Sequence, residues 1–366
     1  MLIKEFTDGT RVFGPYFVNE SKKGTTAAGK TYLNVTLQDC SGTIEAKKWD
    51  VAPGDEELFA RGKVVQIEGQ VILYSGHLQM KVFSAEPLNQ KDVDWALFIP
   101  AAPVEQKTLE NKLGLYLSSI EDEAIKRLVE ALIAKFRDRF LVWPAAVRNH
   151  HNFVSGLLYH SLTMADLAMK ACEVYPVLSR DVMLGGVLVH DLGKIIELSS
   201  PQATTFTLQG KLLGHISIGQ AELRQTAKEL GYYAFDDLSE EEKEKESKAN
   251  GPVFHRYEIA VLFEHIILSH HGRQDFGSPV LPLTREALAI SLIDDFDAKM
   301  LILDNASNGI APGESTAKIF SLDERYFYIP RFAETNGKPY GTSLEDQEKD
   351  LDATSKMTVP IQGKLF

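Results

Sequence analysis

The sequence predicts two unlike domains, an N-terminal all-β barrel followed by an all-α domain. Three observations carry that reading. The chain has 366 residues, more than one typical core organises. Its first ninety residues are short β-rich segments punctuated by turn signals. Beyond Glu105 the apolar residues switch to a helical period, after a Pro-containing stretch, 98–103, that reads as a linker.

Residues 12–18, 31–37, 43–47 and 64–69 are rich in the β-branched and aromatic side chains that strands favour. Lys23-Gly24, Asp39-Cys40-Ser41-Gly42 and Pro53-Gly54 read as the turns between them, and 71–82 as a further pair folded about Ser75-Gly76. Five or so strands in this length suit a small closed barrel. In the second half, Ile120, Ile125, Leu128, Leu132 and Phe136 fall on one face of a helix that ends before Pro144. Further helices are expected at 153–174, 180–192, 212–230, 256–271 and 284–304. The expected boundaries are 1–95 for the barrel, 96–147 for a linker and connecting helix, 148–332 for the helical domain and 333–366 for an acidic, flexible tail. The run 236–251 (DDLSEEEKEKESKANG) reads as a solvated insertion.

Composition excludes several classes. No apolar run approaches the roughly 20 residues that span a bilayer, and the start, Met1-Leu2-Ile3-Lys4-Glu5-Phe6, turns polar without a signal-peptide core. The two cysteines, Cys40 and Cys172, have no metal-type spacing and imply no disulfide framework. These features point to a cytoplasmic protein with no membrane partner. A net charge of −12 argues against a general nucleic-acid coat protein. It leaves room for a nuclease, because an Asp-rich site attracts metal ions that then supply the charge phosphate needs. The first ninety residues hold ten Lys+Arg against eleven Asp+Glu, a balance of −1, so the excess acid lies further on.

The histidines are sorted: nine of the ten lie beyond residue 149. In Val187-Leu188-Val189-His190-Asp191-Leu192-Gly193-Lys194 an apolar helix delivers His190 and Asp191 side by side at its end. An adjacent imidazole and carboxylate suit one divalent ion. His160, His215, His270-His271 and Asp294 each lie in an otherwise apolar helical stretch. Burying such groups without a partner costs about 1–3 kcal/mol apiece, and a shared metal centre gives them one. His77 reads as an exposed hairpin residue. His255 and His265 read as structural, with His265 near enough to the cluster to support it. The run Arg148-Asn149-His150-His151-Asn152 has two readings, the lining of a substrate cleft and a solvated loop.

The order H…HD…H…HH…D on successive helices resembles the HD superfamily of metal-dependent phosphohydrolases over about residues 150–305. The resemblance implies that His160, His190, Asp191 and Asp294 are core metal ligands. It implies that His215 and either or both of His270 and His271 are extra ligands of a dinuclear centre bridged by Asp191. Lys194 matches the lysine that contacts the scissile phosphate, which makes Asp191 and Lys194 the implied catalytic pair.

Residues 30–50 (KTYLNVTLQDCSGTIEAKKWD) resemble the nucleic-acid OB-fold of tRNA-binding domains and helicase wedges. Tyr32 and Trp49 offer ring faces for base stacking, worth about 1–3 kcal/mol per base, and Lys30, Lys47 and Lys48 offer cations to phosphates. For Trp49 a second reading stands beside stacking, that it plugs the barrel core. On the cleft reading, Arg148, His150 and His151 would be further nucleic-acid contacts. The fold class is therefore an N-terminal all-β OB barrel followed by an all-α HD-superfamily helical domain. With its NHHNFVSGL, LGHIS, LSHHG, GSP and IDDFDAKM segments, the chain is similar to the YhaM family of bacterial 3′-to-5′ exoribonucleases from residue 1 to about 332. That resemblance implies hydrolysis of single-stranded RNA to 5′-mononucleotides, with single-stranded DNA as the other substrate to consider. It suggests Mn²⁺, while the ligand types alone equally admit Fe²⁺ or Co²⁺. Two rival readings are an HD phosphohydrolase of small nucleotides, which would need no single-strand platform, and a non-catalytic single-strand-binding factor, which would need no complete ligand set. The ending Gln362-Gly363-Lys364-Leu365-Phe366 resembles the peptide with which bacterial proteins dock on the sliding clamp through positions such as Gln362, Leu365 and Phe366. Its other reading is that Leu365 and Phe366 pack back on the helical domain.

Overall fold

A computed structural model describes residues 1–26, 29–99, 102–146, 153–201, 204–307 and 310–331. Arg148, His150 and His151, and the ending with Gln362, Leu365 and Phe366, lie outside the described residues.

Five strands, β1 (Arg11–Thr25), β2 (Thr31–Asp39), β3 (Gly42–Trp49), β4 (Val64–Tyr74) and β5 (His77–Pro87), close a barrel in the order β1-β2-β3-β5-β4. Every pairing is antiparallel except that of β3 with β5. A single helical turn, α1 (Asp55–Leu58), bridges β3 and β4. Strand alternation turns Leu33, Val35 and Leu37 of β2, Ile44 and Ala46 of β3, and Val65, Ile67 and Val71 of β4 inward, and Phe59 joins them. Two expected breaks are absent. Lys23-Gly24 is strand, because β1 stays paired with β2 as far as Thr25 opposite Thr31. Gly24 is needed there because the Tyr32 ring occupies the space a Cβ would take. Residues 64–74 likewise form one strand, whose irregularity between Glu68 and Gly69 is a bulge and not an end.

The β2–β3 turn is held by Asp39, which is buried. Its Oδ1 accepts from the N–H groups of Ser41 and Gly42 (2.7 and 3.2 Å) and from the Ser41 hydroxyl (2.6 Å). Its Oδ2 accepts from the Ile3 N–H (2.7 Å), which ties the N-terminal segment to the barrel. Asp is favoured in such a turn because its short carboxylate reaches the backbone two residues on.

The second domain is helical: α2 (Gln106–Ser118), α3 (Glu123–Phe140), α4 (Gly156–Val174), α5 (Arg180–Val189), α6 (Lys194–Glu197), α7 (Leu208–Glu229), α8 (Glu240–Ala249), α9 (Pro252–Ser269) and α10 (Arg285–Ser307). The helix expected through Ile120 starts later. Asp122 caps α3 by accepting from the N–H groups of Ala124 and Ile125, and Ile120 is buried in the connection before it. Leu113 of α2 and Leu128 and Leu132 of α3 share one core with Leu158, Leu188, Phe263 and Ile266. The middle of that core is α5. A Cβ on Gly185 or Gly186 would collide with Phe263 or Ile290, so the two glycines let neighbouring helices close around it. The acidic α8 buries no residue, as a solvated insertion should. Among the described residues no helix is long and apolar enough to cross a membrane.

The two domains meet at a small apolar joint. Phe17 and Val64 of the barrel pack with Phe98 and Ile99 of the connection, and Val154, just before α4, packs against them. The Ala102 N–H donates to the Val154 carbonyl (3.0 Å). Arg61 Nη2, at the barrel surface, donates to the Thr204 carbonyl (2.8 Å).

Replacing Asp39 by Ala leaves the buried Ile3 N–H without an acceptor, at about 1–3 kcal/mol, and frees the half-buried N–H groups of Ser41 and Gly42 as well. The expected outcome for Asp39→Ala is a lower denaturation midpoint of the barrel; an unchanged urea midpoint would show that water replaces the carboxylate without loss.

Candidate functional site

Among the described residues, five histidines and four carboxylates from α4, α5, α6, α7, α9 and α10, and from the ends of these helices, converge in the helical domain. His160 projects from α4, and His190 is the residue that ends α5, with Asp191 next to it. His270 ends α9 in the same way, followed by His271. Asp294 and Asp297 lie one turn apart on α10. His215 follows Gly214, whose left-handed φ of 70° interrupts α7. That interruption leaves the His215 N–H free to donate to Glu197 Oε1 (3.0 Å).

Each of the five rings is anchored through Nδ1. His190 meets the Val187 carbonyl (2.8 Å), His270 the Ile267 carbonyl (2.7 Å) and His271 the Phe276 carbonyl (2.7 Å). His160 meets Asp297 Oδ2 (2.7 Å) and His215 meets Glu197 Oε1 (3.3 Å). Where a neutral ring gives Nδ1–H to an oxygen, Nε2 keeps the lone pair, which is how proteins present imidazole to a metal; for His160, flanked by two carboxylates, that holds once a cation displaces the ring's second proton. The Nε2 atoms lie near Asp191: His190 is 3.4 Å and His160 3.7 Å from Oδ2, and His215 is 3.4 Å and His270 3.5 Å from Oδ1. His160 Nε2 is also 3.2 Å from Asp294 Oδ1.

The buried Nε2 atoms of His190, His215 and His270, and Oδ1 of Asp191, have no hydrogen-bond partner. Such orphans are rare in folded proteins and signal an absent ion or water. The donors group into three sets, His160/His190/Asp191, His190/His270/Asp294 and His215/His270/His271, each with its ligand atoms within 4.8 Å of one another. Imidazole nitrogens and carboxylate oxygens in this mixture suit a divalent transition ion. The residues present therefore fit a metal centre; the sets overlap at His190 and His270, and the two oxygens of Asp191 face different rings.

The electrostatics agree. Burial opposes the charge on Asp191, but Lys194, whose Nζ is 2.6 Å from Oδ2, and His190 hold the carboxyl well below its usual range. Burial likewise opposes the charge on Lys194, and Asp191 keeps the ammonium above its ordinary value. Burial works against the charged form of His160, yet Asp294 and Asp297 outweigh it and push that ring up to about 10. Burial, with a neighbouring imidazole adding to it, holds His270 and His271 below the ordinary histidine value. The pocket thus has surplus negative charge at the Asp294 end, where a cation is favoured.

One backbone contact locks the arrangement. A Cβ on Gly193 would run into the carbonyl oxygen of His215 and the N–H of Gly219, so the loop carrying Asp191 and Lys194 rests directly on α7. Among the described residues the other histidines, His77, His255 and His265, belong to none of these donor sets. His77 is exposed, His255 bonds Asp122 (2.8 Å), and His265 Nε2 accepts the Leu283 N–H (2.9 Å). The anchors Glu197 and Asp297 were not singled out from the sequence. The available signal was spacing: Asp297 follows Asp294 by three residues, on the same helix face.

On the barrel, Tyr32 and Trp49 sit opposite each other on β2 and β3 with ring centroids 5.0 Å apart. Lys47 Nζ lies 5.5–5.8 Å from the rings of Trp49, Tyr32 and Tyr74. Trp49 is 39% exposed, so it faces outward and does not plug the core. Beside this cluster runs a groove of about 880 Å³ lined by residues including Lys22, Asn34, Lys47, Tyr74 and Gln79. Lys48 is on the other side of β3, as strand alternation requires, with its mostly buried side chain 3.9 Å from Asp55. Lys30 is exposed, 3.8 Å from Asp50.

The anchoring of His215 generates a test. Glu197→Gln is expected to weaken divalent-ion binding at the His215/His270/His271 set by roughly 10–100-fold, with binding at the His160/His190/Asp191 set retained. Titration calorimetry with Mn²⁺ would resolve the two; identical isotherms for variant and wild type would remove Glu197 from the centre.

Comparison with known families gives two matches. Residues 157–299 match the HD domain, a stretch that contains all seven proposed ligands from His160 to Asp294. Residues 20–88 match the OB-fold nucleic acid binding domain, and contain Tyr32, Lys47 and Trp49. The chain is thus an N-terminal OB-fold barrel followed by a helical HD domain, the fold of metal-dependent phosphohydrolases, and the pairing supports a nucleic-acid hydrolase or binder.

Proposed function

We propose that this chain is a metal-dependent 3′-to-5′ exoribonuclease of the kind the YhaM family represents, shortening single-stranded RNA to 5′-mononucleotides. The observation that carries the reading is the set of five imidazoles, each anchored at Nδ1, with four of the Nε2 atoms near Asp191. It stands on a chain that also presents an exposed cation–aromatic face on a nucleic-acid barrel.

In this reading His160, His190, Asp191 and Asp294 would hold one divalent ion, and Asp191, His215, His270 and His271 would be available to a second. Bound there, divalent ions supply positive charge to a phosphoryl oxygen and lower the pKa of water from about 15.7 toward about 7; the family resemblance favours Mn²⁺. Asp191 turns one oxygen toward His160, His190 and Lys194 and the other toward His215 and His270, so it spans both donor sets. Lys194 brings an ammonium whose side chain is still 12% exposed, placed to hold the scissile phosphate against Asp191. Water adds to the last internucleotide phosphorus, and the bond to the 3′-oxygen of the preceding nucleotide breaks. The water proton ends on that oxygen, which leaves a 5′-mononucleotide and a strand one residue shorter. Trp49, Tyr32 and Lys47 hold the strand upstream by stacking and phosphate contact.

Incubation with 5′-labelled single-stranded RNA and Mn²⁺ should give a ladder of shortened products, with the matching DNA strand as the second arm. Asp191→Ala should abolish the ladder while the helical circular-dichroism signal is kept. A variant that still degrades RNA with normal metal content would place the chemistry elsewhere.

The barrel face gives a separate expectation. The double change Lys47→Ala with Trp49→Ala should weaken binding of a long single strand by roughly tenfold or more. It should leave hydrolysis of a small diester, bis(p-nitrophenyl) phosphate, unaltered. Equal loss of both would make the face part of the reaction site instead of a platform.

A further inference from the structure

The loop between α9 and α10 is built tightly around one ligand. It leaves His270-His271 through Gly272, at φ 73°, and turns again at Gly277, at φ 97°, both left-handed. The Arg273 N–H donates to the His271 carbonyl (2.9 Å), and the Arg273 carbonyl accepts from the N–H groups of Phe276 (3.1 Å) and Ser278 (3.2 Å). His271 Nδ1 bonds the Phe276 carbonyl, and the far end of the loop is tied to His265 through the Leu283 N–H. Residues 271–278 therefore form a fixed hook, one imidazole's width from the His215/His270/His271 set.

Among the described residues, the side chains of Arg273 and Phe276 form no hydrogen bond or ion pair that holds the hook. Phe276 is 57% exposed, although its backbone carbonyl is committed to His271. The Arg273 guanidinium lies 5.9 Å from the centre of the Phe276 ring. No ion pair or side-chain hydrogen bond involves Arg273 among the described residues. An exposed ring beside a guanidinium that has no ion pair suits a nucleotide strand, since a base has a face to stack and a neighbouring phosphate accepts from the planar fork. Lys194 already supplies a cation at the other oxygen of Asp191, on the far side from His215 and His270.

We infer that Arg273 and Phe276 form a subsite for the last two nucleotides of the single strand, with Phe276 under the terminal base and Arg273 on the phosphate of the penultimate nucleotide, the one next to the scissile bond. The inference rests on the exoribonuclease reading and adds what that reading lacks, contacts that position the last nucleotides beside the cleaved bond. A hook fixed to a ligand places the terminal base at a set distance from the cleaved bond.

The test uses the full chain with Mn²⁺ and a short 5′-labelled oligoadenylate RNA. Arg273→Ala should raise KM for the RNA by roughly 10–100-fold, with kcat changed much less. Arg273→Lys should recover part of the loss, and Phe276→Ala should raise KM by roughly fivefold or more. Hydrolysis of bis(p-nitrophenyl) phosphate and metal content should stay at wild-type values in Arg273→Ala. If both fall together with RNA hydrolysis, Arg273 merely buttresses His271 and the subsite is refuted. If the wild type cleaves neither substrate, the exoribonuclease reading fails, and fluorescence anisotropy of the labelled RNA with Ca²⁺ as the divalent ion still decides the subsite. Weaker binding by both alanine variants supports it; affinity equal to wild type overturns it.

Discussion

The carboxylate of Asp191 is charged yet almost wholly removed from solvent, and the architecture of the helical domain can be read as the means of keeping it so. Burying a carboxylate costs several kcal/mol unless other charges and donors surround it. Its position makes matters worse, because it follows the C-terminus of α5, where the helix dipole repels an anion. Lys194 answers for one oxygen. The other has no hydrogen-bond partner and faces the lone pairs of His215 and His270. A buried carboxylate oxygen that meets only imidazole lone pairs is an environment that favours a bound cation.

The rings that complete the ring of donors are held by a device used twice. His190 and His270 each occupy the last position of a helix and fold back so that Nδ1 meets the carbonyl three residues earlier. Those carbonyls belong to the last helical turn, where acceptors have lost their usual partners. One hydrogen bond thus satisfies the helix end and selects the tautomer. The helix terminus and the ligand are a single piece of local structure, repeated in Leu188-Val189-His190-Asp191 and Leu268-Ser269-His270-His271.

This explains what was legible in the sequence. The donors stood out because His and Asp are costly inside apolar helices, so His160, His190, Asp191, His215, His270, His271 and Asp294 were visible as exceptions to their surroundings. Their anchors were not. Glu197 and Asp297 are ordinary helical carboxylates until tertiary contact sets them behind a ring, and a carbonyl leaves no mark in a sequence at all. The barrel shows the same division. Alternating strands announced themselves, but Gly24 looked like a turn, since only the Tyr32 ring across the strand pair explains a glycine in mid-strand. Lys47 and Lys48 looked equivalent as a basic pair, although strand period alone sends them to opposite faces. The joint at Phe17, Val64, Phe98, Ile99 and Val154 was invisible because it gathers distant residues, two of them from a stretch that read as linker.

The contact between Gly193 and the backbone of His215 carries a consequence for how such a centre can change. A side-chain contact can be adjusted by a methylene, and geometry drifts by small steps as residues are exchanged. Main chain resting on main chain offers nothing to trim. The spacing between Asp191 and His215 is therefore close to invariant under substitution, and any larger residue at 193 would part the two loops outright. Tuning of the centre is left to the groups behind the rings, Glu197, Asp297 and the Phe276 carbonyl, where a small change tilts an imidazole without moving the frame that carries it.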